Sequence, residues 1–122
     1  MALIVRAFPV LPGKAEDIRR FAAEMAGPRR QEAAEFYKSF GVTRESWHFQ
    51  ETPGPMVISI TEIEGEPDVK AQAYAESVRP FDRWFKEQVH NLTGVDPNTQ
   101  PLGPPSETIF DLQGMPGVPS PS

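Results

Sequence analysis

The chain predicts an α+β domain of strand–helix–strand–strand–helix–strand order, a four-stranded antiparallel sheet with both helical layers on one face. Three observations lead there. Two helical regions with an apolar stripe are each flanked by strand-like segments. A turn rich in breakers joins the two central strands into a hairpin. The two halves repeat this pattern without repeating sequence. Two strand–helix–strand units in series make the split βαβ, or ferredoxin-like, arrangement.

Residues 2–10 read as the first strand, rich in β-formers. Leu3, Val5 and Ala7 point one way and Ile4, Arg6 and Phe8 the other, so both faces are largely apolar. Pro12-Gly13 ends it. Residues 14–26 form a helix with Ile18, Phe21, Ala22 and Met25 on one stripe. Gly27-Pro28 interrupts it, and residues 28–40 continue with Ala33, Phe36, Tyr37 and Phe40 inward, stopping at Gly41. Residues 44–51 are the second strand, with Glu45, Trp47 and Phe49 alternating with Ser46, His48 and Gln50. The turn Thr52-Pro53-Gly54-Pro55 leads into a third strand over residues 56–64.

The second helical region begins near Asp68, with Val69, Ala73 and Tyr74 expected inward, and is broken at Arg79-Pro80. Residues 80–92 carry the clearest periodicity: Phe81, Trp84, Phe85, Gln88, Val89 and Leu92 share one face, and Gly94 caps it. A proline-rich connection over residues 95–105 precedes a short final strand over residues 107–112. The domain spans residues 1–113, and residues 114–122, with three prolines, form a flexible tail.

Composition narrows the function classes. A net charge of −5 without a basic stripe argues against nucleic acid. The absence of cysteine removes disulfides, thiolate nucleophiles and Cys-ligated metals. The apolar run near the N-terminus is too short for a signal sequence or a membrane span, so the expectation is a cytoplasmic protein with no membrane partner. No phosphate-binding glycine loop, H-E-x-x-H or G-x-S-x-G motif occurs, and no cofactor or metal is expected. A sheet apolar on both sides needs a cover on its bare face, and a homodimer supplies it.

The stretches Gly41-Val42-Thr43-Arg44-Glu45-Ser46-Trp47 with Gln50-Glu51-Thr52-Pro53, then residues 80–89, then Gly94-Val95-Asp96 and Gly103-Pro104-Pro105, resemble an uncharacterised bacterial family of the dimeric α/β-barrel superfamily. The likeness spans roughly residues 1–113. It implies a barrel formed by two copies and a ligand cavity between helices and sheet. Haem-degrading members of that superfamily aim a histidine into the pocket from the last helix. Here His90 falls on the far side of the helix from Phe81, which argues against haem.

His48 is the candidate catalytic residue, a general base if the polar side of its strand faces a cavity. A strand histidine exposed or at an interface is the plainer account. Trp84 and Gln88, with Trp47, Tyr37 and Tyr74, are the candidate pocket residues for a small hydrophobic or aromatic ligand. Gln88 stands out as the polar member of an apolar face. Core packing is the plainer account of Trp84. Three functions follow: a small-ligand-binding dimer, a cofactor-free monooxygenase-like enzyme on an aromatic substrate, or a non-catalytic structural protein whose aromatic stripe is all core.

Overall fold

The computed structural model describes residues 2–100 and 105–112. The elements are β1 (Ala2–Pro9), α1 (Ala15–Ala26), α2 (Arg30–Ser39), β2 (Val42–Gln50), β3 (Met56–Ile63), α3 (Pro67–Glu76) and α4 (Pro80–Thr93). The sheet has strand order β1-β3-β2, antiparallel throughout, which is the ferredoxin-like order of its first three strands.

The helix breaks fall where the glycines and prolines dictate. Gly27 ends α1, and α2 starts at Arg30, because Pro28 and Arg29 complete the turn instead of the first helical residues. Pro80 opens α4, where its missing N–H is harmless. Gly94 closes it in the left-handed conformation at φ 79°, its N–H donating to the His90 carbonyl. Gly41 is required twice over. Its φ is +76°, and a Cβ there would stand 2.6 Å from the Glu64 carbonyl oxygen. That close approach lets the Glu64 N–H reach the Gly41 carbonyl at 2.8 Å and ties the start of β2 to the end of β3.

One face of the sheet carries the helices. Phe8 and Val57 pack from the sheet against Ile18, Phe21 and Met25 of α1, Ala33 and Phe36 of α2, and Phe81, Phe85, Val89 and Leu92 of α4. The predicted stripes of α1, α2 and α4 therefore form the core. In α3 only Tyr74 behaves as expected, packing against that core. Val69 is 63% exposed and Ala73 is exposed, because α3 meets the rest of the domain along a narrow edge.

The predicted fourth strand is corrected. Among the described residues the sheet has three strands, and residues 107–112 form none. At the open edge of β1 this segment makes one bridge between Arg6 and Pro105 and a hydrogen bond from the Ser106 N–H to the Val5 carbonyl at 2.6 Å. Pro105 at that bridge carries no N–H to donate to β1. Ile109, Phe110 and Leu112 remain 83%, 77% and 72% exposed. Residues 114–122, expected as a tail, lie outside the described residues.

The other face of the sheet carries no helix. Strand register aligns Val5, Ile60 and Ser46 in one row and Ala7, Ile58 and His48 in the next. Leu3 on this face is 49% exposed. No helix among the described residues is long and apolar enough to cross a membrane.

Candidate functional site

The centre of the helix-facing side of the sheet is polar. Register places Ile4, Thr61 and Glu45 in one row across β1, β3 and β2, and Arg6, Ser59 and Trp47 in the next. Alternation then turns all six toward the helices, because Phe8, Val57 and Trp47 in the same series meet the core. Five hydrogen-bonding side chains, the Trp47 indole among them, thus sit inside an otherwise apolar layer.

Above them is a cavity of about 220 Å³. Its floor is this polar belt. Its walls are Phe36, Tyr37 and Phe40 of α2 and its end, Lys70, Ala71 and Tyr74 of α3, and Phe85 of α4, closed by Val42 and Ile63. Ring-to-ring packing fixes the walls: Phe36 stands 4.6 Å from Phe85 and 4.9 Å from Tyr37, and Tyr74 5.8 Å from Phe36. A more open hollow of about 470 Å³ between α1, α2 and β2 shares Tyr37, Val42, Glu45 and Trp47 with it.

Glu45 is the most constrained group in the cavity. The Trp47 indole donates to its Oε2 at 2.8 Å, and the Thr61 hydroxyl to its Oε1 at 2.5 Å. Burial raises its carboxyl above the ordinary carboxylate range; the bonds from Thr61 and Trp47 and the charge of Arg6 act in the opposite direction. A carboxylate offers four lone-pair positions, and these donors occupy two. Arg6 is pulled down from its usual value by burial and back up by Glu45. Tyr37 is pushed well above the usual phenol range by burial, with Glu45 and Tyr74 adding to it. Tyr74 is raised by burial, with Asp82 adding to it. Both phenols stay protonated at neutral pH and can donate.

The candidate pocket residues named from sequence divide. Trp47, Tyr37 and Tyr74 stand on the cavity wall. Trp84 and Gln88 do not. They face the seam between α1 and α4, beside Lys14, Asp17 and Arg20. Trp84 packs 5.3 Å from Phe21 and 5.4 Å from Phe81, with the Arg29 guanidinium 4.1 Å over its ring. His48 lies on the helix-free face of the sheet, exposed, with its Nε2 3.1 Å from the Ser46 hydroxyl. The polar side of β2 thus points away from the cavity, and His48 does not reach it. His90 is exposed. Among the described residues no three His, Asp or Glu side chains converge as a metal-binding group.

Glu45 and Arg6 were not singled out by sequence, yet each carried a signal. Glu45 shares the strand register of Trp47 and Phe49, and Arg6 that of Ile4 and Phe8. A charge on the apolar side of a strand needs a partner or a cavity.

No known family profile matches the chain, and no curated protein matches it by sequence. By structure it is similar to an L-rhamnose mutarotase from Formosa agariphila. The TM-score is 0.64 over 91% of this chain and 98% of that one, at 13% sequence identity. At that identity the likeness is one of fold, and it supports an α+β domain of ferredoxin-like strand order.

Proposed function

We propose that the protein binds a small, single-ring hydrophobic or aromatic ligand in the cavity between helices and sheet. The observation that carries this is the composition of the wall: six aromatic side chains, Phe36, Tyr37, Phe40, Trp47, Tyr74 and Phe85, face a floor holding Glu45 and Arg6. A mostly apolar hollow with a few convergent polar groups and a perturbed carboxyl is the usual form of a small-molecule site. Size sets the ligand. An apolar cavity of about 150 Å³ takes a benzene ring, so about 220 Å³ suits one ring with a small substituent.

In this reading Glu45 takes the acid–base role that the sequence assigned to His48, since Glu45 faces the ligand. It is also the base that a cofactor-free oxygenase would need, and oxygen uptake with a single-ring quinol is the readout for that second reading. A mutarotase-like reaction draws on the same group. Neither activity follows from likeness of fold.

Saturation-transfer NMR with benzyl alcohol tests the binding site. Ala71 is exposed at the cavity mouth, so Ala71→Trp blocks entry with little effect on folding. Wild type should show transfer and the variant none. Equal transfer in both would place binding elsewhere.

The homodimer belongs to the same proposal. The helix-free face offers Leu3, Val5, Ile58 and Ile60 in adjoining rows, and a two-fold partner presents the same rows in return. Light scattering after size exclusion should give twice the chain mass, and Ile60→Glu the single mass. A monomeric wild type contradicts this.

A further inference from the structure

We propose that residues 107–112 form an arm that seats on a second copy of this chain, adding a short strand to the open edge of β2 with Phe110 and Leu112 in the hollow between α1, α2 and β2. This rests on the homodimer reading above and names a contact that holds the two copies together.

The arm carries the first part of the argument. Ile109, Phe110 and Leu112 are large apolar side chains left in water within four residues of one another. Their own sheet does not take them. The bridge sets Pro105 opposite Arg6, so antiparallel register puts Glu107 opposite Ile4 and Ile109 opposite Ala2, the first residue of β1. Phe110 and Leu112 fall past that strand. In extended form the segment is two-sided, with Thr108, Phe110 and Leu112 on one face and Glu107, Ile109 and Asp111 on the other.

The receiving surface matches it. β2 pairs with β3 on one side, and on its other side no strand lies among the described residues, so its outer edge can take a further strand. The hollow is lined by Val42, Thr43, Arg44 and Glu45 in succession, so it follows the edge of β2 and not one face alone. Ala22, Ala26, Ala33 and Ala34 on its helical wall leave room for larger side chains. Charge agrees. Residues 107–112 hold two carboxylates and no cation, while Arg44 is exposed and makes no ion pair with another described residue.

Two-fold symmetry brings the two together. When the helix-free faces stack about an axis parallel to the strands, rotation reverses the order β1-β3-β2, and β1 of each copy lies over β2 of the other. Stacked sheets stand about 10 Å apart, and about three extended residues span that gap. Residues 107–109 then cross and residues 110–112 seat. Within one copy the β2 edge lies on the far side of the sheet from Val5, where the arm is anchored. The hollow shares Glu45 and Trp47 with the cavity, so the seated arm also closes that side of the ligand site.

The chain has no cysteine, so introduced thiols report single contacts. Full-length chains carrying Phe110→Cys and Ala34→Cys are mixed at high concentration and oxidised; Ala34 is exposed on the wall of the hollow. Mass spectrometry should find a disulfide joining position 110 of one chain to position 34 of the other. In sedimentation equilibrium, Phe110→Ser with Leu112→Ser should raise the dimer dissociation constant roughly tenfold or more. Arg44→Glu should raise it roughly threefold, and the far-UV circular dichroism of both variants should match wild type. An unweakened dimer in the Phe110→Ser, Leu112→Ser variant, or mixed chains that give no bond between positions 110 and 34, would overturn the arm while the dimer stands. A wild type that stays monomeric overturns both.

Discussion

Glu45 and Lys86 are both ionisable groups drawn away from water, and the structure treats them in opposite ways. The Lys86 ammonium has three N–H donors, and all three are used: the Ala75 carbonyl at 3.0 Å, the Ser77 carbonyl at 2.8 Å and the Asn98 Oδ1 at 3.1 Å. Asp82 beside it is 2% exposed and takes hydrogen bonds from Ser77 and, at 2.8 Å, from the Arg79 guanidinium. This cluster ties the end of α3, the start of α4 and the following loop into one closed network. Glu45 has two donors and faces empty volume with the rest of its capacity. Burial shifts both groups away from their ordinary values, Lys86 downward and Glu45 upward. A shifted pKa therefore does not separate a latch from a site; open space beside the group does.

The largest expected effect lies at the latch. Lys86→Met removes the ammonium over the Tyr74 ring, strands two carbonyls and the Asn98 Oδ1, and leaves Arg79 as the cation beside Asp82. Urea denaturation should show a loss of about 2–4 kcal/mol. A loss under about 1 kcal/mol would mean that water reaches this cluster.

Glu45→Gln should go the other way, by less. Its folded pKa is raised, so the folded state binds this proton more tightly than the unfolded chain. The stability linked to it is present below the unfolded pKa and is lost as pH rises through the window between the unfolded and folded values. The variant should have the higher Tm at neutral pH, with the difference closing on acidification below the ordinary carboxylate range. A lower Tm at neutral pH would show that Glu45 is a structural ion-pair partner like Asp82. His48→Ala should be smallest of all, within about 0.5 kcal/mol of wild type in the isolated domain, and should leave probe binding unchanged.

Much of the fold was legible because it rests on local pattern. The stripes Ile18–Phe21–Met25, Ala33–Phe36–Phe40 and Phe81–Phe85–Val89–Leu92 follow helical periodicity, and the observed core uses them. The final strand was misread because Ile109, Phe110 and Leu112 look like β-formers, whereas a strand also needs a partner, and the bridge to β1 forms ahead of them at Pro105. The site was partly legible. Tyr37, Tyr74 and Trp47 stood out as aromatic. Trp84 and Gln88 did so equally, but the stripe of α4 is wide: Phe85 at its centre meets the cavity, and Trp84 and Gln88 turn to α1. Glu45 and Arg6 meet only through strand pairing, and Tyr74 joins them over the cavity only when α3 folds over the sheet, so no spacing within one element encodes the site.

The two tryptophans give the most direct test. Trp47 lines the cavity and donates to Glu45, while Trp84 lies at the α1–α4 seam. Their indole N–H resonances can be followed in a proton–nitrogen correlation spectrum during titration with benzyl alcohol. The cavity account predicts that the Trp47 indole signal moves in a saturable manner while that of Trp84 stays fixed. A shift at Trp84 with Trp47 unmoved would contradict it.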